Sequence, residues 1–471
     1  MSTLSNEEGT LEQLAETVRK PKFSEFVEKG VYQTWMASNA LELRDGHAVT
    51  LAGRVVNFRR LGSIAFGKLV DQSGKIQFCF NKRETPESFK GWMKAVKMGS
   101  IITIEGEMWT STTGEKTVLV NRAFKVLRDP IHPFPNKVDG IVDPELRLRK
   151  RYLDIVMNPD VKQVFVTRSR IVSELRKFLE RYGFMEVETP ILQTRASGAQ
   201  ARPFQTHHHA LDADLYLRIA PETYLKRAVA ASFDRVYEIG KNFRNEGVDP
   251  SHLQEFTSVE WYGAYMSYMD NLELFKMLLS YLFFAAGHEY SNDPASPLIK
   301  RMIVEYQGTK LDFTDPPVRS YAAVFEQYTG ISPWSLSSAK EIDEMFKEKV
   351  RPNLVQPIFL KDYPAHMSPL AQRSEDGRTV EQWQFIVNGW ELVKCYTELT
   401  DAVLQRQLLE EQMAAREDGD DEAMMLEEDF LECMEYGMPP CSGLGMGVDR
   451  FVAIMTNQTT LRDVVLFPTL L

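Results

Sequence analysis

Charged side chains that could bind an anion stand at the ends of two strand-like runs in this sequence. Arg244 closes the run "DRVYEIGKNF", and the run "EFTSVEWYGAY" begins after the segment "NEGVDPSHLQ", a pattern that favours an antiparallel hairpin with a long loop. Arg450 stands where the glycine-rich run "SGLGMG" gives way to a helical pattern. A guanidinium can bind phosphate or carboxylate oxygens through two parallel hydrogen bonds, whereas an arginine beside a glutamate is more often part of a surface ion pair. Both interpretations are open at this point.

The glycines of the second run, Gly443, Gly445 and Gly447, partly fit a dinucleotide-binding loop. That fingerprint also requires a following strand and an acidic residue about 20 positions further on, and we expect neither after Gly447. Glycines within a strand instead allow a flat ligand or another backbone to lie close to it.

The first predicted domain is a small barrel. Residues 48–127 contain five strand-like runs, with the helical run "PESFKGWMKAVK" between the third and the fourth. This order is typical of the five-stranded OB-type β-barrel, a fold that commonly binds single-stranded nucleic acid. Its first hairpin places Arg54, Arg59 and Arg60 close to Phe58 and Phe66. The two rings could stack on bases, or they could belong to the core of the barrel.

The second predicted domain is larger and follows the proline-rich segment "RDPIHPFPNKVDG". Helical runs such as "DVKQVFVTRSRIVSELRKFLERYGF" come first, and "MEVETPIL" is predicted to be a strand ended by Pro190. Pairs of strands with long loops favour an antiparallel sheet with helices packed on it. The predicted fold class is therefore α+β. The predicted organisation is an N-terminal helical extension (1–47), the OB barrel (48–127), a linker with a connecting helix (128–160), and an antiparallel sheet domain flanked by helices (161–471).

Composition excludes some classes of protein. The chain has 471 residues and a formal net charge of −11, which argues against a generally basic surface for nucleic acid, although local patches can still bind it. No apolar run approaches the ~20 residues that cross a bilayer, and the first residues do not resemble a secretory or transit peptide. The four cysteines are too scattered for a disulfide framework. We therefore expect a cytosolic protein without a membrane anchor.

Three segments together resemble a known family. "GFMEVETPIL", then "FRNE" with His252 and Phe256, and then "GLGMGVDR" resemble, in order and spacing, the three signature motifs of class II aminoacyl-tRNA synthetases. The segments "RIAPETYLKR", "SPLAQR" and "CYTELTDAVLQRQLLEEQ" are similar to the lysine-specific members of subclass IIb. The likeness extends from about residue 48 to the C-terminus and is weak before it.

The resemblance implies a reaction, its substrates and its partners. A member of this family activates L-lysine with ATP, forming lysyl-adenylate and pyrophosphate, and then transfers lysine to the 3' end of tRNA(Lys). It is a homodimer and uses Mg²⁺, a hard cation that suits the oxygen ligands of a leaving pyrophosphate. The chemistry needs no general base, because the carboxylate of the amino acid is already ionised at neutral pH.

The resemblance also assigns roles to single residues. Arg244 and Arg450 are the expected catalytic residues, which hold the α-phosphate of ATP from two sides. The expected ATP-binding residues are Arg244, Glu246, His252, Phe256, Glu391 and Arg450. The expected lysine-binding residues are Gly198, Glu222, Arg244, Glu260, Tyr262, Lys394, Tyr396 and Glu398, with Glu222 at the α-amino group and Glu398 and Tyr262 at the ε-ammonium. The expected anticodon-binding residues are Arg59, Phe66 and Gln77.

Three positions depart from the pattern of the family. Gln384 stands where a first metal-binding carboxylate is usual, so that only Glu391 is left as a metal ligand, and Lys394 stands where an asparagine is usual near the substrate carboxylate. Loss of a carboxylate and gain of an ammonium together shift the local charge by +2, and we therefore hypothesise that Lys394 replaces part of the role of a metal ion. Arg122 stands where an acidic partner for the third anticodon base is expected.

Two other functions stay open at this point. A relative that attaches lysine to a protein would share the sheet domain, but such relatives usually lack the barrel of residues 48–127. A catalytically altered or inactive paralogue that binds RNA would fit the changes at Gln384 and Lys394. Retention of Arg244, Arg450, Glu391 and Glu398 favours an active enzyme, since loss of one partner would leave the others unpaired.

Overall fold

The structure is a computed structural model that describes residues 35–132, 134, 141–247, 249–286, 302–336 and 338–470. These residues form two compact units, divided between Asn158 and Pro159. Most of the predicted N-terminal extension, residues 1–34, and part of the predicted linker, residues 133 and 135–140, lie outside the described residues. None of the helices in the described ranges is long and apolar enough to cross a membrane.

The first unit is a closed barrel of five strands, as predicted. The strands follow the order β1-β2-β3-β5-β4, and β1 pairs with β4 to close the barrel. The bounds are α1 Ala37–Ala40, β1 Ala48–Leu61, β2 Ile64–Val70, β3 Lys75–Asn81, α2 Phe89–Ala95, β4 Ile101–Thr110 and β5 Lys116–Arg128, followed by the short helices α3 Pro144–Arg149 and α4 Arg151–Met157.

Alternation along the strands separates the inside of the barrel from its outside. Ala65 and Leu69 of β2 are fully buried, whereas Phe66 between them is half-buried. Phe58 packs against the buried rings of Phe78 and Phe80, with centroids 6.2 Å away in both cases. Of the two rings that the sequence left undecided, Phe58 therefore belongs to the core and Phe66 lies on the outer face.

The second unit contains an eight-stranded sheet, in the order β14-β15-β16-β17-β18-β11-β10-β6. The pairs from β15 to β10 are antiparallel, as predicted, and the two edge pairs, β14-β15 and β10-β6, are parallel. The strands are β6 Met185–Glu186, β10 Arg235–Phe243, β11 Glu255–Ala264, β14 Val318–Ser320, β15 Ile358–Pro364, β16 Thr379–Val387, β17 Trp390–Thr397 and β18 Cys441–Gly447. Smaller sheets comprise β7 Leu192–Gln193, β8 Gln205–His208 and β9 Ala213–Leu217, and β12 Ile303–Tyr306 with β13 Thr309–Asp312.

Helices of this unit cover the sheet and its edges. They are α5 Pro159–Arg181, α6 Glu222–Ala230, α7 Tyr268–Ala286, α8 Tyr321–Thr329, α9 Ala339–Met345, α10 Ala402–Glu417, α11 Glu428–Glu435 and α12 Val448–Met455. Single helical turns occur at Pro333–Ser335, Phe346–Val350, Arg351–Asn353, Ala365–Met367 and Leu461–Asp463. Helix α5 ends before Gly183, whose φ of +79° is a backbone conformation that glycine adopts without strain.

The two faces of the large sheet differ in character. Alternate residues such as Val259, Trp261 and Cys395 point into the main apolar core, to which α5 and α7 contribute Ile171, Leu175 and Leu278. The residues between them, among them Glu260 and Tyr396, point to the opposite side, which we call the front face. The predicted strand "MEVETPIL" is wrong beyond its first residues. Pro190 has no N–H for a ladder, and Thr189 donates from its N–H and its hydroxyl to Glu238 Oε2 at 3.2 and 2.7 Å instead.

Candidate active site

The front face presents two rows of side chains across neighbouring strands. Residues directly opposite each other in a ladder point to the same face. The first row runs through Gln384, Lys394, Gly445, Glu260 and Glu238. The second row runs through Gln382, Tyr396, Gly443, Tyr262 and Val236. Four predicted lysine-site residues, Glu260, Tyr262, Lys394 and Tyr396, are thereby neighbours, although they are far apart in sequence.

Each row has a glycine of β18 in its middle, Gly445 in the first row and Gly443 in the second, and we call these two glycines the floor of the site. A Cβ atom at Gly443 would lie 2.1 Å from Cε1 of Tyr262 and 2.5 Å from Oε1 of Glu398, so no side chain fits there. A Cβ atom at Gly445 would meet only Glu260, at 3.6 Å, which is ordinary contact. The space above Gly445 is therefore open, and a flat ligand can lie on the strand at that point.

Three buried carboxylates converge on one side of this floor, which we call the acidic pole. Glu222, Glu260 and Glu398 are 5%, 8% and 1% exposed. Tyr396 donates its hydroxyl hydrogen to Oε1 of Glu222 at 2.6 Å, and Tyr262 donates to Oε2 of Glu260 at 3.3 Å.

The surroundings of these carboxylates disfavour their ionised form. Burial raises the pKa of Glu260 to about 8, and the charge of Glu222 adds to this effect while Arg244 opposes it. Burial also raises the pKa of Glu398 to about 8, against the opposing charge of Lys226. Closely spaced carboxylates of this kind are stabilised by a ligand that brings positive charge.

A tight turn at Gly198 packs against Glu222. It is the first residue of α6, and its Cβ would lie 2.9 Å from a Cβ added at Gly198. Gly198 also has a φ of +85°, which side chains rarely allow. Both observations explain why position 198, a predicted lysine-site position, is a glycine. Without a side chain, the backbone of residue 198 can lie against the acidic pole.

Two arginines stand on the other side of the floor, which we call the basic pole. Nε and Nη2 of Arg244 lie 3.4 Å from the carbonyl oxygen of Ile219, and its guanidinium lies 5.1 Å from the ring centroid of Phe256. Arg450 donates from Nη1 to the carbonyl oxygen of Glu391 at 2.8 Å. Burial lowers the pKa of Arg450 from its usual value, though an arginine remains charged at any ordinary pH. Neither arginine forms an ion pair within the described part of the chain.

The predicted hairpin positions Arg244. Strands β10 and β11 pair antiparallel from Arg235 opposite Gly263 to Phe243 opposite Glu255, and the N–H of Arg244 donates to the carbonyl oxygen of Gln254 at 2.9 Å. His252 lies in the connecting loop, where its Nδ1 is 2.6 Å from Oδ2 of Asp249. Glu246 is half-buried in the same loop, and its charge acts on Arg450. The predicted ATP-binding residues Glu246, His252 and Phe256 therefore surround the basic pole.

The residues that would bind a metal ion fit a two-carboxylate site poorly. Oε1 of Gln384 accepts a hydrogen bond from the Tyr363 hydroxyl at 2.8 Å, and Oε2 of Glu391 lies 3.9 Å from Nη2 of Arg351. Within the described ranges no cluster of three or more His, Cys, Asp or Glu residues could hold a metal ion. Glu391 alone is one hard oxygen ligand, which suits contact with a metal ion that is already bound to phosphates better than an independent metal site.

Lys394 contributes a further cation to the front face. Its Nζ lies 5.6 Å from the ring centroid of Tyr396. In the sheet, Gly445 lies between Lys394 and Glu260. Lys394 forms no ion pair with the residues that the structure describes. Its ammonium is therefore available to an anionic group of a ligand.

Sequence reasoning missed two groups that support the site. Lys226, on α6, is fully buried against Glu222 and Glu398, and the only sequence signal for it was the i,i+4 spacing from Glu222, which usually indicates a surface pair. Behind the sheet, Asn271 accepts from Trp261 Nε1 at 2.8 Å and donates to Ser442 Oγ at 2.8 Å. Ser442 in turn donates to the carbonyl oxygen of Tyr396 at 2.8 Å, which fixes this strand of the floor.

The barrel places the predicted anticodon-binding residues on its outer face. Arg59 lies opposite Phe66, and Gln77 lies opposite Lys68, two residues further along β2, where its Nε2 donates to Thr117 Oγ1 at 2.9 Å. Arg59 is exposed. Arg54 and Arg60 instead donate to the barrel's own backbone, at the carbonyl oxygens of Gly99 and Met93.

Arg122, the unexpected cation of the barrel, is also paired. It donates to Oε1 of Glu107 on the neighbouring strand at 3.0 Å, and both side chains are substantially exposed. Of the three arginines of the first hairpin, Arg59 is therefore the one whose guanidinium has no hydrogen-bond or ion-pair partner among the described residues, and it faces solvent beside the ring of Phe66.

Comparison with known proteins agrees with both units. Residues 143–471 match the family of tRNA synthetases class II (D, K and N), and residues 49–126 match the OB-fold nucleic acid binding domain. A protein of Pelotomaculum thermopropionicum is 37% identical over 507 aligned positions, which cover 99% of this chain and 97% of the relative. A protein of Clostridium perfringens is 38% identical, with 99% of both chains covered. One of Aquifex aeolicus is 40% identical, with 90% of this chain and 73% of the relative covered.

These three relatives each bear the name "Lysine--tRNA ligase". The match to the class II family covers well over half of the residues and includes every strand of the large sheet. The chain belongs to the class II tRNA synthetase family, with an OB-fold domain ahead of its synthetase domain.

Proposed function

We propose that this chain is a lysyl-tRNA synthetase, a ligase that activates L-lysine with ATP and transfers it to the 3' end of tRNA(Lys). Family membership and the names of the relatives support the reaction class and the amino acid. No observation favours the protein-lysylating or inactive alternatives over this function.

One observation carries the amino-acid specificity, namely the charge of the acidic pole. When Glu222, Glu260 and Glu398 are all ionised, as a cationic ligand favours, they bring three negative charges and Lys226 brings one positive charge, which leaves two negative charges in a buried space. L-lysine carries two ammonium groups, and both need anionic partners when they leave water. Glu398 and Tyr262 would receive the ε-ammonium, and Glu222 the α-ammonium, with Gly198, Glu260 and Tyr396 around them.

The carboxylate of lysine would then lie toward the basic pole. There its oxygen attacks the α-phosphorus of ATP, the bond to the β-phosphate oxygen breaks, and pyrophosphate leaves with the electron pair. Arg244 and Arg450 would neutralise the charge that builds up on the α-phosphate, since both guanidinium groups lack an ion-pair partner among the described residues. Phe256 would stack on one face of the adenine with a guanidinium on the other face, and His252, Glu246 and Glu391 would lie around the nucleotide.

The second step uses tRNA. The terminal ribose hydroxyl attacks the lysyl carbonyl carbon, the bond to the adenylate phosphate oxygen breaks, and AMP leaves while the hydroxyl proton passes to solvent or phosphate. The outer face of the barrel would read the anticodon by stacking on Phe66 and by contacts from Arg59 and Gln77.

Magnesium would enter with ATP. The poor fit of Gln384 and Glu391 to an independent metal site favours Mg²⁺ that is bound chiefly by the phosphates. Glu391 would add one ligand, and Lys394 would supply positive charge where a second ion has no carboxylate to hold it.

We further propose that the chain forms a homodimer in the cytoplasm. The segment after α5 exposes Met185, Ile191 and Leu192 by 44%, 45% and 49%, which is a natural apolar surface for a second copy. Light scattering on the purified protein and localisation of a tagged chain test these two statements.

The proposed function is tested by ATP–pyrophosphate exchange with each of the twenty amino acids, followed by charging of tRNA(Lys). We expect exchange with lysine alone and charging that depends on the barrel. Exchange with another amino acid would refute the assignment of the acidic pole, and a folded protein without any exchange would refute synthetase activity.

A further inference from the structure

Lys226 is a buried cation inside the acidic pole. Its side chain is 0% exposed, and no other lysine within the described ranges is buried. Burial alone would lower the pKa of this ammonium, but the charges of Glu222 and Glu398 raise it above its usual value. Lys226 is therefore protonated at neutral pH.

The ammonium of Lys226 bridges two carboxylates that come from different elements. Its Nζ lies 2.6 Å from Oε1 of Glu222, one turn earlier on α6, and it also pairs with Oε2 of Glu398, which follows β17. The rings of Tyr396 and Phe430 cover it, with centroids 5.5 and 5.8 Å away. Three of these neighbours, Glu222, Glu398 and Tyr396, are predicted lysine-site residues.

The bridged carboxylates retain capacity for a ligand. Oε1 of Glu222 accepts from both Lys226 and Tyr396, while its Oε2 accepts from no group in the described part of the chain. Among the described residues, the third carboxylate of the pole, Glu260, accepts a side-chain hydrogen bond only from Tyr262, at 3.3 Å. A ligand amine can therefore approach the acidic pole from the front face without displacing Lys226.

We propose that Lys226 is a positioning residue for amino-acid selection, whose ammonium sets the distance between Glu222 and Glu398 and cancels one of the three charges of the acidic pole. The inference rests on the proposed lysine specificity of this pocket. The two carboxylates would otherwise repel each other, and either could shift or take up a proton. With the bridge in place they stand at a fixed separation and match two amines joined by a chain of one length.

A fixed separation has a consequence for close analogues of lysine. Ornithine has the same two amines but one methylene fewer, so it cannot reach both carboxylates at once. Without the bridge the carboxylates can move toward the shorter substrate. Loss of Lys226 should therefore weaken lysine binding and reduce the discrimination against ornithine.

The experiment compares Lys226→Met, which keeps the length but removes the charge, with Lys226→Arg, which keeps the charge on a larger group. Lys276→Met is the matched control, because Lys276 lies at the surface of α7 and pairs with Glu273 at 3.1 Å. ATP–pyrophosphate exchange gives kcat and KM for lysine, ornithine and ATP. Circular dichroism and thermal unfolding report on folding.

For Lys226→Met we expect the KM for lysine to rise about tenfold or more, and the lysine-to-ornithine ratio of kcat/KM to fall by about tenfold, since one methylene is usually discriminated by ~10–200-fold. The KM for ATP should stay within about twofold. A general loss of structure, by contrast, would raise the KM for both ATP and lysine. Lys226→Arg should recover part of the discrimination, and Lys276→Met should behave as the unchanged protein.

The outcomes separate this inference from the proposed function. An unchanged protein that shows no lysine-dependent exchange refutes the proposed function itself. An active unchanged protein, together with a Lys226→Met variant that retains its KM for lysine and its discrimination, overturns the role of Lys226 alone. If Lys226→Met does not fold, Lys226→Arg decides, because its larger head group changes the separation of the two carboxylates: a raised KM for lysine and a reduced lysine-to-ornithine ratio with an unchanged KM for ATP support the bridge, and unchanged values overturn it.

Discussion

Replacement of Gly445 by alanine tests where the substrate lies on the front face. A methyl group at this position would touch only Glu260, at 3.6 Å, so the protein itself has room for it. The backbone of Gly445 is not in the left-handed region. An alanine in a compatible conformation is neutral or stabilising by about 0.4–1 kcal/mol, because it restricts the unfolded chain. We therefore expect Gly445→Ala to fold with a melting temperature at or slightly above that of the unchanged protein.

Substrate binding should respond in the opposite direction. The methyl group would fill the open space between the acidic and basic poles, where the α-carbon and carboxylate of lysine would lie. Overpacking of a close-fitting site typically costs about 1–3 kcal/mol, which corresponds to roughly 5- to 150-fold in kcat/KM for lysine. ATP–pyrophosphate exchange over a range of lysine concentrations measures this change.

Gly443→Ala is the contrasting variant. Its Cβ would lie 2.1 Å from the ring of Tyr262, so the ring and Glu398 must move even without substrate. We expect this variant to lose stability and activity together. A Gly445→Ala protein with lysine-dependent exchange within about twofold of the unchanged protein would refute the proposed position of the substrate, because the comparison with Gly443→Ala excludes an insensitive assay.

Other consequences of the site are open to measurement. Glu398→Gln should raise the KM for lysine by about 10- to 150-fold, as expected for a lost hydrogen bond to a charged group, and an unchanged KM would contradict its assignment to the ε-ammonium. Burial raises the pKa of Glu260 and Glu398 to about 8, and lysine binds their ionised forms, so the KM for lysine should fall from pH 6 toward 8 by up to about tenfold per pH unit for each carboxylate that must ionise; a flat profile would contradict this. Lys394→Asn should increase the Mg²⁺ concentration needed for half-maximal exchange, and unaltered activity and magnesium dependence would show that Lys394 does not replace metal charge. Phe66→Ala should lower kcat/KM for tRNA(Lys) by roughly 5- to 150-fold, since stacking contributes ~1–3 kcal/mol per base, and should leave amino-acid activation unchanged; equal losses in both assays would contradict its place in tRNA binding.

Local patterns in the sequence predicted those parts of the fold that depend on neighbouring residues. Alternation in "DRVYEIGKNF" and "EFTSVEWYGAY" predicted the hairpin, and the structure pairs these runs antiparallel, as expected. The barrel was predictable for the same reason, because each strand has its own alternation and its own turn. The short strand at Met185–Glu186 was predicted too long, because the hydrogen bonds of Thr189 to Glu238 depend on a residue 49 positions away.

The assembly of the front face could not be predicted from local patterns. The first row joins Gln384, Lys394, Gly445 and Glu260 through ladders between four strands, and the order of these strands in the sheet differs from their order in the chain. Resemblance to the family supplied this set of residues, whereas periodicity showed only which side of its own strand each residue occupies.

Lys226 shows a second limit of reading one element at a time. On α6 it is one turn from Glu222, and such a pair at the surface contributes only about 0.3–0.5 kcal/mol. Lys226 differs from a lysine of such a surface pair because α6 is covered and because Glu398, which is distant in sequence, lies beside it. Its ammonium is therefore buried between two carboxylates. Removal of one partner from a buried group of charges leaves the others uncompensated, which is far more costly than loss of a surface pair.

The cations around the acidic pole also bear on the changes at Gln384 and Lys394. Lys226 occupies the inner side of the pole, and Lys394 lies beyond Gly445 on its other side, next to the ring of Tyr396. Because Lys226 cancels one of the three carboxylate charges, the pole would have charge for the two amines of one lysine and none left for a metal ion. On this proposal a metal ion would be confined to the side of Glu391 and the phosphates, and the loss of the carboxylate at position 384 and the gain of the ammonium at position 394 would act in the same direction.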